Sequence, residues 1–358
     1  MARRARPDST RRTSDTRSAS RARPSPGRRI GLTVTVVALL AAGAAAARLW
    51  PGNAPAPPAP TTVPAGQGRQ AGSAQAPAGP SGFDSTQAWD HLRQILAIGP
   101  RPAGSPQLRQ TRAYITRQMS TLGLTVQEQP FTATTPVGPI DMVNLIVRLP
   151  GKRTDRILIG GHYDTKLFKD AVFVGANDAG SSTAFLIELA RVLKDRPREF
   201  TVELVWFDGE EALVDWYHPS GTDNTYGSRY YVQAAREAGA LASLKAMVLV
   251  DMIGDRELRI RRESQSTAWL TNLIWSAARR LNHGSVFVDQ ATEVADDHLP
   301  FLAAGIPAVD IIDLEYDPWW HTPGDTIERL SARSLQIVGE VLLAALPDIE
   351  AHLTRTTK

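Results

Sequence analysis

The chain has 358 residues, a formal net charge of +3 and no cysteine. That length allows one large domain or two ordinary ones, and the lack of cysteine excludes disulfides, thiolate metal sites and a cysteine nucleophile, so any metal must be bound by His, Asp or Glu. Ten arginines between Arg3 and Arg29 carry most of the excess positive charge, and we therefore expect no nucleic-acid partner.

The N-terminal segments are predicted to lie outside the folded domain. Residues 1–29 contain almost nothing apolar and are expected to form a disordered, Arg-rich tail in the cytoplasm. Residues 30–47 are uncharged and rich in Val, Leu and Ala, and their 18 residues reach the range of about 17 to 25 that spans a membrane. The preceding arginines place the N-terminus in the cytoplasm by the positive-inside rule.

A linker then leads to the globular part of the chain. Residues 48–82 are largely Pro, Ala, Gly, Gln and Ser, a composition typical of a semi-extended spacer. Residues 83–358 are therefore expected outside the cytoplasm, held at the cell membrane by a single span. The alternative is a secreted protein, if the Ala-rich end of residues 30–47 is a signal-peptidase site.

From residue 83 onward, helical and strand-like patterns alternate. Helices are predicted from Asp84 or Ser85 through Leu96, from Ser105 to Gly123, and at 183–193, 228–238, 269–281 and 331–353. Strands are predicted at 124–131, 142–149, 157–159, 202–207, 246–250, 286–288 and 308–312. This alternation predicts an α/β fold with a central mixed, mostly parallel sheet flanked by helices, a three-layer sandwich.

Two candidate ligands follow the first strong central strand. That strand, 157–159, runs through two glycines into His162 and Asp164. The glycines allow close backbone approach, and Asp164 is suited to orient the imidazole from behind. Asp178 lies just before the helix at 183, where it is either a ligand or a helix cap. A lone His or Asp at these positions is more often structural.

Two adjacent glutamates, Glu210 and Glu211, follow the buried strand 202–207. In an extended turn, neighbouring side chains point in different directions, so that one carboxylate can bind a metal while the other faces a substrate. An isolated pair of this kind is also typical of a solvated acidic loop.

The remaining strands add further ligands. Strand 246–250 ends at Asp251, and His321 follows the last strand. Open α/β sheets bind small molecules and ions at the carboxyl ends of their strands. We therefore expect these strand-end residues to share one site. The donor set, of nitrogen and oxygen atoms only, is suited to zinc; its members are His162, Asp178, Glu211, Asp251 and His321.

Residues 83 to the C-terminus resemble the zinc-dependent aminopeptidase superfamily, and within it most closely the glutaminyl-peptide cyclotransferases of the animal and bacterial zinc type. The shared segments occur in order: His162-Tyr163-Asp164-Thr165-Lys166, Gly175-Ala176-Asn177-Asp178, Phe207-Asp208-Gly209-Glu210-Glu211-Ala212, Asp251-Met252-Ile253-Gly254 and Trp320-His321-Thr322. The resemblance implies a zinc aminopeptidase-like fold.

Segments between the ligands favour the cyclotransferase branch. Trp216, the segment Tyr226-Gly227-Ser228-Arg229 and the pair Asp296-Asp297 are similar to that branch, in which an indole, here Trp320, also precedes the last histidine. Trp216 is equally suited to the core, and Asp297 to the start of a helix. Two features differ from the cyclotransferase pattern. The segment 322–326 is peptidase-like, and Asp310 stands where the animal cyclotransferases have histidine.

The resemblance implies one catalytic zinc held by Asp178, Glu211 and His321. Glu210 would carry the proton from the substrate's α-amine to the departing ammonia, and Asp296 would hold the leaving amide nitrogen, with Asp251 as a further catalytic acid. The apolar walls for an N-terminal glutamine of a peptide or protein would be Trp216, Trp320 and Tyr316.

Two other classes of function stay open. In a di-zinc aminopeptidase, His162 and Asp251 would hold a second zinc, Asp178 would bridge, and Glu210 would activate water. A non-catalytic, membrane-tethered binding domain would show the loss of Glu210 or of a ligand, and none is lost.

Overall fold

The computed structural model describes residues 81–219 and 222–356. The predicted cytoplasmic tail, the hydrophobic segment 30–47 and the linker up to residue 80 lie outside the described residues. Within the described ranges, no helix is both long enough and apolar enough to cross a membrane.

The described ranges contain seven α-helices and eight strands. The helices are α1 Ser85–Ile98, α2 Pro106–Thr121, α3 Ser182–Leu193, α4 Tyr226–Glu237, α5 Ala268–Arg280, α6 Leu299–Ala303 and α7 Ala332–Thr356. The strands are β1 Val126–Thr135, β2 Gly138–Leu149, β3 Arg153–His162, β4 Phe200–Phe207, β5 Leu244–Asp251, β6 Ile260–Glu263, β7 Phe287–Thr292 and β8 Ala308–Ile312.

Local sequence signals explain where the first two helices begin. The Asp84 carboxylate accepts the Thr86 N–H at 2.9 Å and caps α1. The Ser105 hydroxyl accepts the Leu108 N–H at 3.0 Å, and Pro106 occupies the first helical position of α2. Both caps satisfy N–H groups that have no partner within the helix.

Six strands form the main sheet in the order β1-β2-β4-β3-β5-β8. Strand β2 runs antiparallel to both β1 and β4. The pairs β3–β4, β3–β5 and β5–β8 are parallel. The central part of the sheet is therefore parallel, and its carboxyl ends meet at one edge.

Helices cover both faces of this sheet. On β4, Leu204 and Trp206 belong to one buried cluster together with Phe185 of α3. Val205 and Phe207 point to the opposite face, into a second cluster that includes Tyr231 of α4. Since side chains alternate along a strand, one strand supplies both cores. The predicted three-layer α/β sandwich is thus confirmed.

Two short elements, β6 and α6, are absent from the sequence prediction. Strands β6 and β7 form a separate two-stranded parallel sheet, and α6 spans only five residues. In β6 the two central arginines are partly exposed and only the first and last residues are buried. A strand this short and this charged lacks the apolar periodicity on which such predictions depend, and the five uncharged residues of α6 are too few to show a helical period.

Candidate active site at the carboxyl ends of the central strands

The predicted metal ligands come together at one edge of the sheet. His162 is the last residue of β3, and Asp251 is the last of β5. Glu211 follows β4, Asp178 precedes α3, and His321 lies in the loop after β8. All are buried except His321, which is partly exposed. This edge, at the carboxyl ends of parallel strands, is where open α/β sheets bind ligands.

Asp178 joins these side chains into two groups of three. Its Oδ1 lies 3.2 Å from His162 Nε2, which is 3.1 Å from Asp251 Oδ1. Its Oδ2 lies 3.2 Å from His321 Nε2, which is 3.1 Å from Glu211 Oε1. Within each group the candidate ligand atoms lie within 4.8 Å of one another. Each oxygen of Asp178 therefore faces one of the two groups.

The charges at this centre fit a divalent cation. Four carboxylates, those of Asp178, Glu210, Glu211 and Asp251, are at most 6% exposed. The ammonium group of Lys166 lies 3.4 Å from one of them, Glu211. Burying carboxylates without compensating charge is costly. Burial, and then the Asp178 carboxylate, raise the pKa of Glu211. A metal ion would offset this repulsion, and His, Asp and Glu ligands suit zinc.

Asp164 organises the Glu-Glu turn as well as the histidine. Its Oδ1 lies 3.6 Å from His162 Nδ1, on the side of the ring that faces away from Asp178. The same carboxylate accepts the backbone N–H of Glu210 at 3.1 Å and that of Glu211 at 3.3 Å. The contact with His162 agrees with the prediction from the sequence. The two backbone bonds, which fix the directions of both glutamates, have no signal in the sequence.

Glu210 lies beside the metal-ligand groups without belonging to them. Its Oε2 lies 3.7 Å from His162 Nδ1, and its side chain lines a cleft. Burial raises the pKa of Glu210 well above its usual range; the His162 imidazole opposes this, and the carboxylates of Asp296 and Glu211 add to it. A carboxyl group in such surroundings is suited to take up and return a proton.

The turn that carries Asp178 is held by Asp325, which the sequence analysis did not identify as a site residue. Asp325 accepts the N–H of Asn177 at 2.8 Å and that of Asp178 at 3.2 Å. Tyr316, predicted as a wall of the substrate pocket, instead donates its hydroxyl hydrogen to Asp325 at 2.7 Å. The Tyr316 side chain is 1% exposed and so cannot contact a substrate, which corrects that prediction.

A buried arginine, Arg101, joins the segment just before the same turn to the end of β3. Its guanidinium donates to the carbonyl oxygens of Tyr163, Val174 and Gly175 at 2.6 to 3.0 Å. Burial lowers its pKa to about 10. The sequence gives no signal for this role, because an arginine between two prolines has the composition of a solvated loop.

The cleft beside Glu210 has a volume of about 650 Å³ and is lined by both predicted indoles and by Asp296. The Trp320 ring is half exposed and stacks on the His321 ring, with centroids 4.3 Å apart. Asp296 is 2% exposed. Trp216 is partly exposed at the cleft wall, and is therefore not a core residue.

Comparisons with known proteins agree with this geometry. The model of peptidase family M28 matches residues 144–346. A glutaminyl-peptide cyclotransferase of Bothrops jararaca is 31% identical over 296 residues, which cover 72% of this chain and 79% of that protein. A glutaminyl-peptide cyclotransferase-like protein of Bos taurus is 29% identical over 296 residues, which cover 74% of this chain and 76% of that protein.

A solved structure extends the similarity to the fold. The crystal structure of an Acidobacteriales bacterium glutaminyl cyclase superposes with a TM-score of 0.72 at 39% sequence identity. The match covers 75% of this chain and 96% of that one. The matched length thus includes nearly the whole of that enzyme.

Proposed function

The chain belongs to peptidase family M28 and, within it, to the glutaminyl cyclases, and we propose how its site converts the N-terminal glutamine of a peptide into pyroglutamate with release of ammonia. The observation that carries the proposal is the meeting of Glu210, Asp296, Trp216 and Trp320 in one cleft, beside the candidate ligands.

One zinc ion is expected, held by Asp178, Glu211 and His321. These residues offer one imidazole nitrogen and two carboxylate oxygens within 4.8 Å of one another, a set suited to zinc. When bound, the ion would polarise the γ-carboxamide carbonyl of the substrate. Lys166, 3.4 Å from the second oxygen of Glu211, would keep that carboxylate oriented.

Glu210 moves the proton in this scheme. The α-amine of the substrate attacks its own γ-carboxamide carbon, a C–N bond forms, and the bond to the amide nitrogen breaks. Glu210 takes a proton from the attacking amine and returns it to the departing nitrogen, which leaves as ammonia. The buried position of its carboxyl supports this role, because it raises the pKa toward the range in which both transfers are feasible.

Asp296 and the two indoles position the substrate. Asp296 would accept a hydrogen bond from the leaving amide nitrogen, while Trp216 and Trp320 would form the apolar walls of the pocket. Since the reaction is intramolecular, holding the amine close to the carbonyl carbon supplies much of the rate enhancement. Asp251, the last residue of β5, is a further acid of the site.

A di-metal aminopeptidase is the second candidate function, and the second group of ligands favours it. His162, Asp178 and Asp251 are as close together as the first group. With an ion in each group, Glu210 would activate water against the first peptide bond. The ligands alone do not distinguish the two reactions; Asp296 and Trp216 favour cyclisation.

One assay separates these reactions. The purified protein, supplied with zinc, is incubated with an H-Gln peptide and, separately, with leucine amide. Ammonia and a blocked N-terminus from the first substrate, with the second unchanged, are expected. Release of free leucine without cyclisation would contradict the proposal. Metal analysis of the same sample gives the number of zinc ions per chain.

We also propose that the catalytic residues lie outside the cytoplasm. Residues 30–47 and the arginines that precede them are the support for this. A single span would leave the protein in the cell membrane, whereas cleavage after the segment would secrete it. A reporter fused after Pro51 that is active only in the cytoplasm would contradict both forms of the proposal.

A further inference from the structure

The segment 223–228, which leads into α4 and forms its first turn, has no part in the mechanism above. It includes most of Tyr226-Gly227-Ser228-Arg229, which resembles the cyclotransferase branch. Its side chains are at most 6% exposed, although most of them are polar. Buried polar groups are retained where they have hydrogen-bond partners, and the partners of this segment therefore show what it holds in place.

The first contact of the segment is with the backbone of Glu210. The Thr225 N–H donates to the Glu210 carbonyl oxygen at 2.8 Å. A Cβ atom at Gly227 would lie 2.5 Å from the Asp208 carbonyl oxygen, so that glycine allows the start of α4 to approach the Glu-Glu turn this closely. The segment thus holds the main chain at the glutamate that moves the proton.

The second contact is with the loop that carries Trp216. The side-chain amide of Asn224 donates to the Trp216 carbonyl oxygen at 2.9 Å. The Asp223 carboxylate accepts the N–H groups of Val214 and Asp215 at 2.8 and 3.1 Å. One wall of the cleft is therefore bound to the same segment.

The third contact is with the pair Asp296-Asp297. The Ser228 hydroxyl donates to Asp297 Oδ1 at 2.5 Å, and both side chains are completely buried. The Asp297 N–H donates in turn to Asp296 Oδ1 at 2.5 Å. Asp296 Oδ2 is buried and has no hydrogen-bond partner among the described residues. One oxygen of Asp296 is therefore held by the protein, and the other retains its capacity to accept a hydrogen bond.

We propose that the segment 223–228 sets the position of Asp296 relative to Glu210, and that Ser228 is the positioning residue of this link. The inference rests on the proposed function, in which Glu210 returns a proton to the leaving amide nitrogen and Asp296 accepts a hydrogen bond from it. Both side chains must reach the same nitrogen atom, and a displacement of about 1 Å at a reacting group can cost about a hundredfold in rate.

Ser228→Ala removes the hydroxyl and leaves the backbone bonds of the segment in place. Asp297 Oδ1 then loses its donor, while Oδ2 has no partner among the described residues, so the turn at Asp296 is held less firmly. We expect kcat with an H-Gln peptide to fall about tenfold or more, with KM and zinc content unchanged. An unchanged kcat, or a loss that appears in KM alone, would overturn the proposal.

Two substitutions of Asp297 test whether the hydrogen bond itself is responsible. Asp297→Asn keeps an acceptor oxygen for the Ser228 hydroxyl, and Asp297→Ala does not. We expect kcat to fall less than about threefold in the first variant and about tenfold or more in the second, at unchanged KM. Equal losses in the two variants would show that the acceptor oxygen does not position Asp296, and would overturn the proposal.

The double variant Ser228→Ala/Asp297→Ala completes a double-mutant cycle. If Ser228 acts through Asp297, the double variant should lose no more kcat than Asp297→Ala alone. Losses that multiply would show independent roles and overturn the proposal. Thr132→Ala is the control and should leave kcat unchanged, because the Thr132 hydroxyl donates to an exposed carboxylate, that of Asp141, at 2.7 Å and outside the cleft.

If Ser228→Ala does not fold, as judged by thermal unfolding, Ser228→Cys takes its place, because a thiol is a weak donor. The same loss of kcat is expected. Failure of both variants to fold would assign the hydroxyl to the stability of the fold and overturn the proposal. A wild-type protein that forms no pyroglutamyl product would contradict the proposed function itself, whereas an active wild type with an equally active Ser228→Ala variant would contradict only the positioning role.

Discussion

Two neighbouring glutamates have opposite surroundings at this site. Glu211 faces His321 at 3.1 Å and Lys166 at 3.4 Å, so its carboxylate lies among cationic or metal-binding partners. Glu210 faces the cleft, with carboxylates near it and only the His162 ring, at 3.7 Å, to oppose them. The Asp164 carboxylate accepts both of their N–H groups and so fixes this division.

Glu210→Gln should therefore abolish turnover and leave zinc in place. The amide cannot accept the proton of the attacking amine, and loss of a general base typically costs about 10² to 10⁴ in rate. Ammonia release measures the rate, and atomic absorption measures the zinc content. Glu211→Gln is the matched variant and should lose zinc. A Glu210→Gln enzyme that retained most of its rate would refute the proton-transfer role.

How far the sequence predicts such a site depends on where each residue acts. The candidate metal ligands lie in recognisable segments at strand ends or in loops, and the structure brings Asp178, Glu211 and His321 together as expected. Residues that act through backbone groups give no such signal. Arg101 and Asp325 bind N–H and carbonyl groups far away in sequence, and these partners become visible only once the chain is folded.

At the scale of elements, the turn before α3 depends on a loop from the other end of the domain. Asp325, 147 residues along the chain from Asp178, accepts the N–H groups of Asn177 and Asp178. The candidate ligand on this turn is therefore oriented by a carboxylate that belongs to neither candidate ligand group. Outer residues of this kind typically contribute about 10- to 100-fold to metal affinity.

Asp325→Asn should weaken zinc binding without removing a ligand. The amide keeps one acceptor oxygen for two N–H groups, so the turn is held less firmly. We expect the zinc affinity, measured by competition with a chromophoric chelator, to fall about tenfold or more. Asp195→Asn, at an exposed carboxylate, is the control and should bind zinc like the wild type. Equal affinities in the two variants would show that Asp325 does not orient the ligand.

The elements themselves could be predicted to very different degrees. Long buried strands such as β4 and β5 give continuous apolar runs, and both were predicted within two residues of their observed ends. Strand β6 was missed because two of its four residues are partly exposed arginines. The sheet order is a property of the whole chain: β2 enters between β1 and β4, and no local pattern specifies that choice.

Removal of zinc should lower the melting temperature of the protein. An ion that binds only the folded state stabilises it by about 2.7 kcal/mol at a concentration one hundred times Kd. In a domain of this size, each kcal/mol corresponds to about 2 to 4 °C. Treatment with a chelator should therefore lower Tm by about 5 to 10 °C, as measured by calorimetry, and added zinc should restore it. An unchanged Tm would argue against a bound ion.

The stability of the folded chain should also fall between about pH 4 and pH 7, because several buried carboxyls hold protons more tightly than the unfolded chain does. Asp313, which is completely buried, is one of these carboxyls: burial raises its pKa from 3.8 to about 7, against the opposing bond from the Arg259 N–H. Between these two pH values the folded state keeps the proton and the unfolded chain loses it. The contribution of the Asp313 carboxyl to stability is thus fully present below pH 3.8 and is lost as the pH rises through about 7.

The Asp313→Asn substitution removes the titrating carboxyl and so tests its contribution to the pH dependence of stability. The variant should lose less stability than the wild type between pH 4.5 and pH 7.5, since each unit of raised pKa corresponds to about 1.4 kcal/mol at most. Urea unfolding of the metal-free protein at the two pH values measures the difference. Asp289→Asn, at an exposed carboxylate, should follow the wild-type curve. If Asp313→Asn also follows it, the buried Asp313 carboxyl is not a source of the pH dependence.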